Sequence, residues 1–324
     1  MALSYEYSVG AVRAKEKNLL SSADLEAMLA CKDAAALTAY LRDKGYAEGD
    51  STDEILKNAQ ADTVAYLNSV VPDETIFNVF YLVNDAHNIK AVMKGLLADV
   101  DYRKLLLTPC TVAVKDIETA VKENKYSLLP DAFAEAASHA YEVLAHTADA
   151  RLSDAYIDRA CMDAQLQMAK ETKIAFLDEY IRTEIFYRNV KIALRACMTG
   201  APLSYYEDAL TDALDGFVKK DVTAAALKGI DDLTGYLAVQ DAYGCKGAME
   251  AFAVSPTAFE KYTENLLIRL AIEKCRRSGG GAEAAIGYYL ARQAEIKAIH
   301  IIAVGAETAA DTAITRERLR ELYG

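Results

Sequence analysis

The chain has 324 residues, 52% of them hydrophobic and 26% charged, a composition that excludes an intrinsically disordered chain and leaves room for two or three domains. Its formal net charge is −12, and its basic residues fall in isolated pairs such as Lys219-Lys220 and Arg276-Arg277 rather than in a block. An acidic surface without a basic patch repels a phosphate backbone, so nucleic acid is not an expected partner.

The N-terminus, Met1-Ala-Leu-Ser-Tyr-Glu6, has neither the basic nor the apolar region of a leader peptide, and the expected location is cytoplasmic. Short helices are expected over 23–44, stopped by Gly45 after the apolar positions Leu37, Tyr40 and Leu41. Ser51-Thr-Asp-Glu54 has capping-box spacing and predicts a long helix from Thr52. Pro72 ends it, and a second long helix follows through Asn88 to about Leu96. Beyond Pro109, Cys110-Thr-Val-Ala-Val114 alternates briefly and could pair as a strand, although no partner run is evident. Shorter helices are expected over 117–148. The stretch 153–199 holds neither proline nor glycine, which predicts one very long helix or two joined by a tight break. Ser204-Tyr-Tyr-Glu207 has capping-box spacing at the head of a further short-helix run, 205–239. Ser255-Pro256 places a capping hydroxyl before a first-turn proline, and Gly279-Gly280-Gly281 separates that helix from the last long one. Ile299–Val304, one of the longest apolar stretches, is interrupted by His300 and falls short of the about 18 residues a membrane span requires.

An internal repeat organises these elements. Asn88-Ile89-Lys90 recurs as Asn189-Val190-Lys191 and as Glu295-Ile296-Lys297, at spacings of roughly one hundred residues. With the three positions superimposed, Val92 aligns with Ala193 and Ile299, and Leu96 with Cys197 and Ala303, which continues one apolar helical stripe. Helix starts near Thr52, Leu152 and Pro256 precede the copies at similar distances. The expected fold is therefore all-α, with a few short helices followed by two long ones used three times, over 1–107, 108–201 and 202–324.

Catalytic patterns are sparse. There is no phosphate loop, and Gly279-Gly280-Gly281 follows a helix rather than the strand a dinucleotide fingerprint needs. Glu135, His139, Glu142 and His146 share one helical face, as metal ligands in a bundle do, but Phe133, Ala137, Ala140 and Leu144 occupy the opposite face, so the stripe reads as the solvent side. Asp231-Asp232 beside Gly229 reads as a cap or loop pair. The cysteines, at 31, 110, 161, 197, 245 and 275, have no metal spacing and read as small buried hydrophobes in a reducing compartment. The repeated lysines 90, 191 and 297 either pair with acids inside their own bundles or meet a partner; a second base follows in two copies, Lys94 and Arg195, but Ile301 in the third.

Val12-Arg13-Ala-Lys-Glu16-x-x-Leu19-Leu20-Ser21 with Asp24-Leu25, the Asp85-x-x-Asn88-Ile-Lys90 and Arg188-Asn-Val-Lys191 helices, Glu295-Ile-Lys297, and Ile314-Thr-Arg316-Glu317-Arg318-Leu319 ending at Tyr323 occur in an order that resembles the C subunit of V/A-type rotary ATPases, whose eukaryotic counterpart is the d subunit. The resemblance spans essentially the whole chain. It implies three similar helical domains with approximate threefold symmetry, shaped like a funnel or socket, without active site, cofactor or metal. It also implies contacts with the D and F subunits of the central shaft and with the membrane rotor ring, to which the chain would be peripheral. Arg13, Glu16, Asn88, Lys90, Asn189, Lys191, Glu295, Lys297 and Arg318 are the candidates for partner contact or for structural roles. Two other classes remain open: a helical-repeat scaffold that binds proteins, although such repeats run about 30–47 residues, and a helical-bundle metalloprotein using the Glu/His stripe.

Overall fold

Four of the five prolines, Pro72, Pro130, Pro202 and Pro256, lie within two residues of a helix end and Pro109 lies in a loop, which leaves long stretches of backbone free to form uninterrupted i to i−4 hydrogen bonds. The computed structural model describes residues 3–240, 242–308 and 310–324; Met1 and Ala2, where the leader reading begins, lie outside the described residues. Among the described residues there are sixteen α-helices, a few 3-10 turns and no strand. The all-α expectation is met.

The chain divides into two compact units, one made of Met1–Glu74 with Glu250–Gly324 and the other of Thr75–Met249. The first unit begins with α1 (Tyr5–Glu16), α2 (Ser22–Leu29), α3 (Ala34–Asp43) and α4 (Thr52–Val70). The second holds α5 (Asn78–Ala98), α6 (Val114–Lys122), α7 (Asp131–Thr147), α8 (Ala150–Glu171), α9 (Ala175–Met198), α10 (Leu203–Ala209), α11 (Lys219–Ala226), α12 (Ile230–Ala238) and the start of α13 (Cys245–Val254). The chain then returns to the first unit with α14 (Pro256–Cys275), α15 (Glu283–Glu307) and α16 (Thr312–Arg318).

In the first unit α15 is the central helix, packed on α4, α14 and α1. Its buried Ala298, Ile299, Ile302 and Ala303 meet Met28, Leu37, Leu41 and Ile55 in one core. In the second unit α8 is central, packed on α7, α5, α9 and α10. There Ile157 and Cys161 share a core with Ile89, Val92, Ile117 and Phe133. Ala137 and Ala140 are fully buried on α7, and such small side chains permit the close α7–α8 approach. The compact units group helices by contact: α4 packs on α15 and α5 on α8, so the cut falls inside the first sequence repeat.

Helix ends agree with the sequence in most places. Thr52 and Pro256 start α4 and α14 as expected, and α8 starts at Ala150, close to the expected Leu152. Ser255 Oγ accepts the Ala258 amide at 3.0 Å, with Pro256 in the first turn. Gly45, at φ +82, follows the end of α3, and the backbone amide of Tyr46 returns to Leu41 O. The 153–199 stretch is two helices, broken at Thr172–Ile174, where Lys173 takes a left-handed φ of 57 without the help of glycine.

Three expectations are corrected. Pro202, not Ser204, precedes α10, which starts at Leu203; Ser204 therefore lies inside the first turn and no side chain caps this helix. The full capping box is at Ser21-Ser-Ala-Asp24 instead, where the Ser21 amide donates to Asp24 Oδ2 at 2.8 Å and the Asp24 amide to Ser21 Oγ at 3.3 Å. At Ser51 only the hydroxyl half forms, because Glu54 accepts from the amide of Asp50 rather than of Ser51. Cys110–Val114 is not a strand, since its amides at Thr111 and Val112 are taken by the Asp85 carboxylate.

Candidate functional site

The repeated position is buried in all three copies, and in each it holds an irregular segment by its backbone. Asn88, fully buried on α5, donates through Nδ2 to Leu107 O at 3.0 Å and accepts from the Leu107 amide at 2.8 Å. Asn189, fully buried on α9, repeats the reciprocal pair on Thr211, donating to its carbonyl at 2.9 Å and accepting from its amide at 3.2 Å. A carboxamide suits this task because its donor and acceptor match the two backbone groups of one residue. In the third copy Glu295 can only accept. Its carboxylate takes the Leu20 amide, the Tyr46 hydroxyl at 3.1 Å and the guanidinium of Arg292, one turn earlier on α15. Burial pushes the Glu295 carboxyl up, opposed by the Arg292 charge and the Leu20 amide.

The first copy carries further clamps on the same segment. Asn84 donates to Pro109 O at 2.7 Å, beside the cis Thr108–Pro109 bond, and His87 Nε2 lies 2.8 Å from Leu105 O. Asp85 accepts from the Thr111 amide at 2.9 Å and from the Thr111 hydroxyl and Val112 amide. Burial raises its pKa above the ordinary 3.8, against the pull of those donors. In the second copy the Thr211 hydroxyl donates to Asp163 on α8, and Arg188 to Gln165 Oε1 at 2.7 Å. Arg292 and Asp163 were not among the candidates from sequence. The spacing of Arg292 and Glu295, three apart on one helix, was the signal available for the first. For Asp163 no local signal exists, because its partner is on a loop forty-eight positions away.

The repeated lysines behave as pairing residues. Lys90 meets Asp158 at 2.5 Å, joining α5 to α8, and Lys94 meets Asp154 at 2.6 Å on the same two helices. The partner of Lys90 lies beyond residue 107 in sequence but inside the same compact unit, so of the two readings of this lysine the structure shows pairing with an acid. Lys297 pairs with Glu264, joining α15 to α14. Lys191, exposed on α9, is engaged as well.

At the N-terminus Arg13 pairs with Glu16 at 2.7 Å and donates to the carbonyls of Cys275 and Ser278 at 2.6 and 3.1 Å, which ties α1 to the end of α14. Arg318 is exposed at the end of α16. Glu135, His139, Glu142 and His146 are all exposed on α7, opposite buried Phe133, Ala137 and Ala140, with the His139 ring edge-on to Tyr156 at 4.3 Å. Among the described residues no three His, Cys, Asp or Glu side chains form a group able to hold a metal ion. Asp231 and Asp232 sit exposed in the first turn of α12 after Gly229.

The six cysteines are free; Cys161, Cys245 and Cys275 are buried, whereas Cys31, Cys110 and Cys197 are half-buried, so the buried reading holds for three of them. Burial raises every one of these thiols, Cys161 and Cys245 to about 11, which disfavours the nucleophilic thiolate. The polar groups of the repeat thus position backbone rather than poise a nucleophile beside a base.

No helix among the described residues is long and apolar enough to cross a membrane. No curated protein matches the chain at a significant level. Residues 8–318 match the ATP synthase (C/AC39) subunit family, a span that takes in all three copies of the repeat and most of both terminal segments on which the resemblance rests. The chain belongs to this family, the C subunits of the V/A-type rotary ATPases.

Proposed function

We propose that the chain is the non-catalytic central-stalk subunit of a V/A-type rotary ATPase or ATP synthase, cytoplasmic and peripheral to the membrane, linking the D/F shaft to the rotor ring and passing torque for ATP-coupled ion transport. The observation that carries this reading is the match to the ATP synthase (C/AC39) subunit family over residues 8–318, which takes in nearly the whole chain. The geometry supports it in kind. A torque-passing part has to resist compression, and close-packed helix interfaces do so. The clamps at Asn88, Asn189 and Glu295 fix the loops between helices by hydrogen bonds at both peptide groups or at the amide, which stiffens segments that would otherwise deform first. The pairs α4/α5, α8/α9 and α14/α15 are proposed as equivalent pairs of three domains, 1–107, 108–201 and 202–324, related by approximate threefold symmetry in a socket. Asn88, Asn189, Glu295, Lys90, Lys297, Arg13 and Glu16 are assigned structural roles, and exposed Lys191 and Arg318 are the remaining partner-contact candidates.

Deleting the subunit tests the function. ATP hydrolysis by the soluble head should persist while ATP-driven ion transport into membrane vesicles is lost, and adding the purified chain back should restore it. Vesicles that lack the chain yet pump ions at the normal ratio to ATP hydrolysed would sink the proposal.

A further inference from the structure

A second internal repeat links short helices rather than long ones. Leu37-Thr38-Ala39-Tyr40-Leu41 on α3 recurs as Leu233-Thr234-Gly235-Tyr236-Leu237 on α12. In both copies the two leucines are buried. A lysine, Lys32 or Lys228, stands five positions before the first of them, in the turn that joins α2 to α3 or α11 to α12.

Each turn walls a groove. In the second compact unit a groove of about 620 Å³ is bounded by Leu227 and Lys228 of the turn, by Cys197 and Met198 at the end of α9, and by Tyr206 of α10. In the first compact unit a groove of about 250 Å³ is bounded by Cys31 and Lys32 of the turn, by Ile302 and Gly305 near the end of α15, and by Thr312 of α16. Tyr206 and Thr312 hold the same place in the long-helix repeat, each seventeen positions after Asn189 or Glu295. The two grooves are therefore built from the same three parts. These are the last turns of a second long helix, the short helix that follows it, and a pair of short helices packed on it, α11 and α12 on α9 or α2 and α3 on α15.

Both grooves combine apolar walls with one unspent charge. Met198 is 54% and Leu227 52% exposed, and Met28 and Ile302 line the smaller groove. Lys32 and Lys228 are exposed and form no ion pair among the described residues. Asp33, the neighbour of Lys32, is spent on capping α3, where it accepts the Ala36 amide at 2.8 Å. The α5–α6 region departs from the pattern: the five-residue motif is absent, and Lys125, in the turn after α6, pairs with Glu123 at 2.5 Å. An apolar side chain beside a carboxylate would cover the walls of each groove and pair with its lysine. One construction used twice on one chain fits a partner that offers the same segment more than once.

We propose that these two grooves dock the membrane rotor ring, each taking from a ring subunit a segment with an apolar side chain beside a carboxylate that pairs with Lys32 or Lys228. The inference rests on the central-stalk reading and adds which surface meets which partner. A ring presents one subunit repeatedly, whereas the shaft is made of two different subunits, D and F, so the repetition selects the ring.

The test measures binding of the full chain to vesicles that hold the rotor ring without head or shaft, to vesicles of the same lipid without the ring, and to the purified D/F shaft. The wild type should bind the ring-bearing vesicles and the shaft. Lys32→Glu and Lys228→Glu should each weaken ring binding about tenfold, the loss of one contact to a charged group, and the double variant should weaken it further. Met198→Glu should act in the same direction, Lys125→Glu should leave ring binding unchanged, and shaft binding should persist throughout. Melting separates docking from folding: if Met198→Glu melts lower, the two exposed lysines carry the test. Ring binding untouched by the double variant, or shaft binding lost in its place, overturns the proposal and leaves the central-stalk reading standing. Wild-type chain that binds neither the ring-bearing vesicles nor the shaft overturns that reading, and the proposal with it.

Discussion

Asn88 and Asn189 occupy the same place in two copies of the repeat and make the same pair of hydrogen bonds, each to the amide and carbonyl of one residue, 19 positions further on in the first copy and 22 in the second. Removing either side chain strands a donor and an acceptor at a position where the asparagine is fully buried. Asn88→Ala and Asn189→Ala should therefore each lower the urea-unfolding free energy by about 1–3 kcal/mol, whereas Arg318→Ala, at an exposed site, should stay within about 0.5 kcal/mol. Asp85 adds a pH dependence. Its folded-state pKa is raised above 3.8, chiefly by burial, so the folded chain holds this proton more tightly than the unfolded chain does. Stability from this group is fully present below pH 3.8 and is lost as the pH rises through the folded value. The gap in unfolding free energy between the wild type and Asp85→Asn should accordingly shift in favour of the variant as the pH rises from 3.8 towards neutrality; a gap that is flat or moves the other way contradicts the assignment.

At the scale of elements, helices in this protein meet through few charged contacts laid over apolar seams. Lys90–Asp158 and Lys94–Asp154 both bridge α5 and α8, beside the buried Ile89, Val92 and Ile157. The pairs are partly exposed, so each contributes about 1 kcal/mol or less, and their main effect is on register. Lys90→Asp should lower the melting temperature by placing like charges where an ion pair of 2.5 Å stood, and the exchanged pair Lys90→Asp with Asp158→Lys should recover most of the loss. If Lys90 served the shaft instead, the single reversal would leave melting unchanged and the exchange would not restore shaft binding. The two-helix break at Thr172–Ile174 shows the limit of local reading: a stretch without proline or glycine still turns, because Lys173 can take φ 57 when packing on either side offsets the cost.

At the scale of the molecule, the first compact unit is assembled from both ends of the chain, with residues 75–249 intervening. The final segment closes it. Tyr323 is 2% exposed, Arg276 donates to its carbonyl at 2.9 Å, Glu321 pairs with Arg269, and Leu319 and Leu322 are buried. Burial of one large apolar side chain stabilises by about 1.5–3 kcal/mol, so three of them make this segment a substantial fraction of the unit's stability. Truncation after Arg318 should expose the α1, α14 and α15 amides to hydrogen exchange; protection unchanged in those helices would show that the segment is only draped on the surface.

The sequence by itself determined the all-α class, most helix ends, the apolar stripe through Val92, Ala193 and Ile299, and the solvent face of α7, because each of these depends on residues within a few turns of one another. It also marked the positions 88, 189 and 295, since a repeated polar residue on an apolar helix is visible as a pattern. What those side chains hold was decided only by tertiary structure. Leu107, Thr211 and Leu20 become partners when loops distant in sequence close onto a helix face, and the grouping of α4 with α15 and of α5 with α8 follows from which apolar stripes bury each other best. Periodicity states that a helix has a buried side; it does not state against which helix that side is buried.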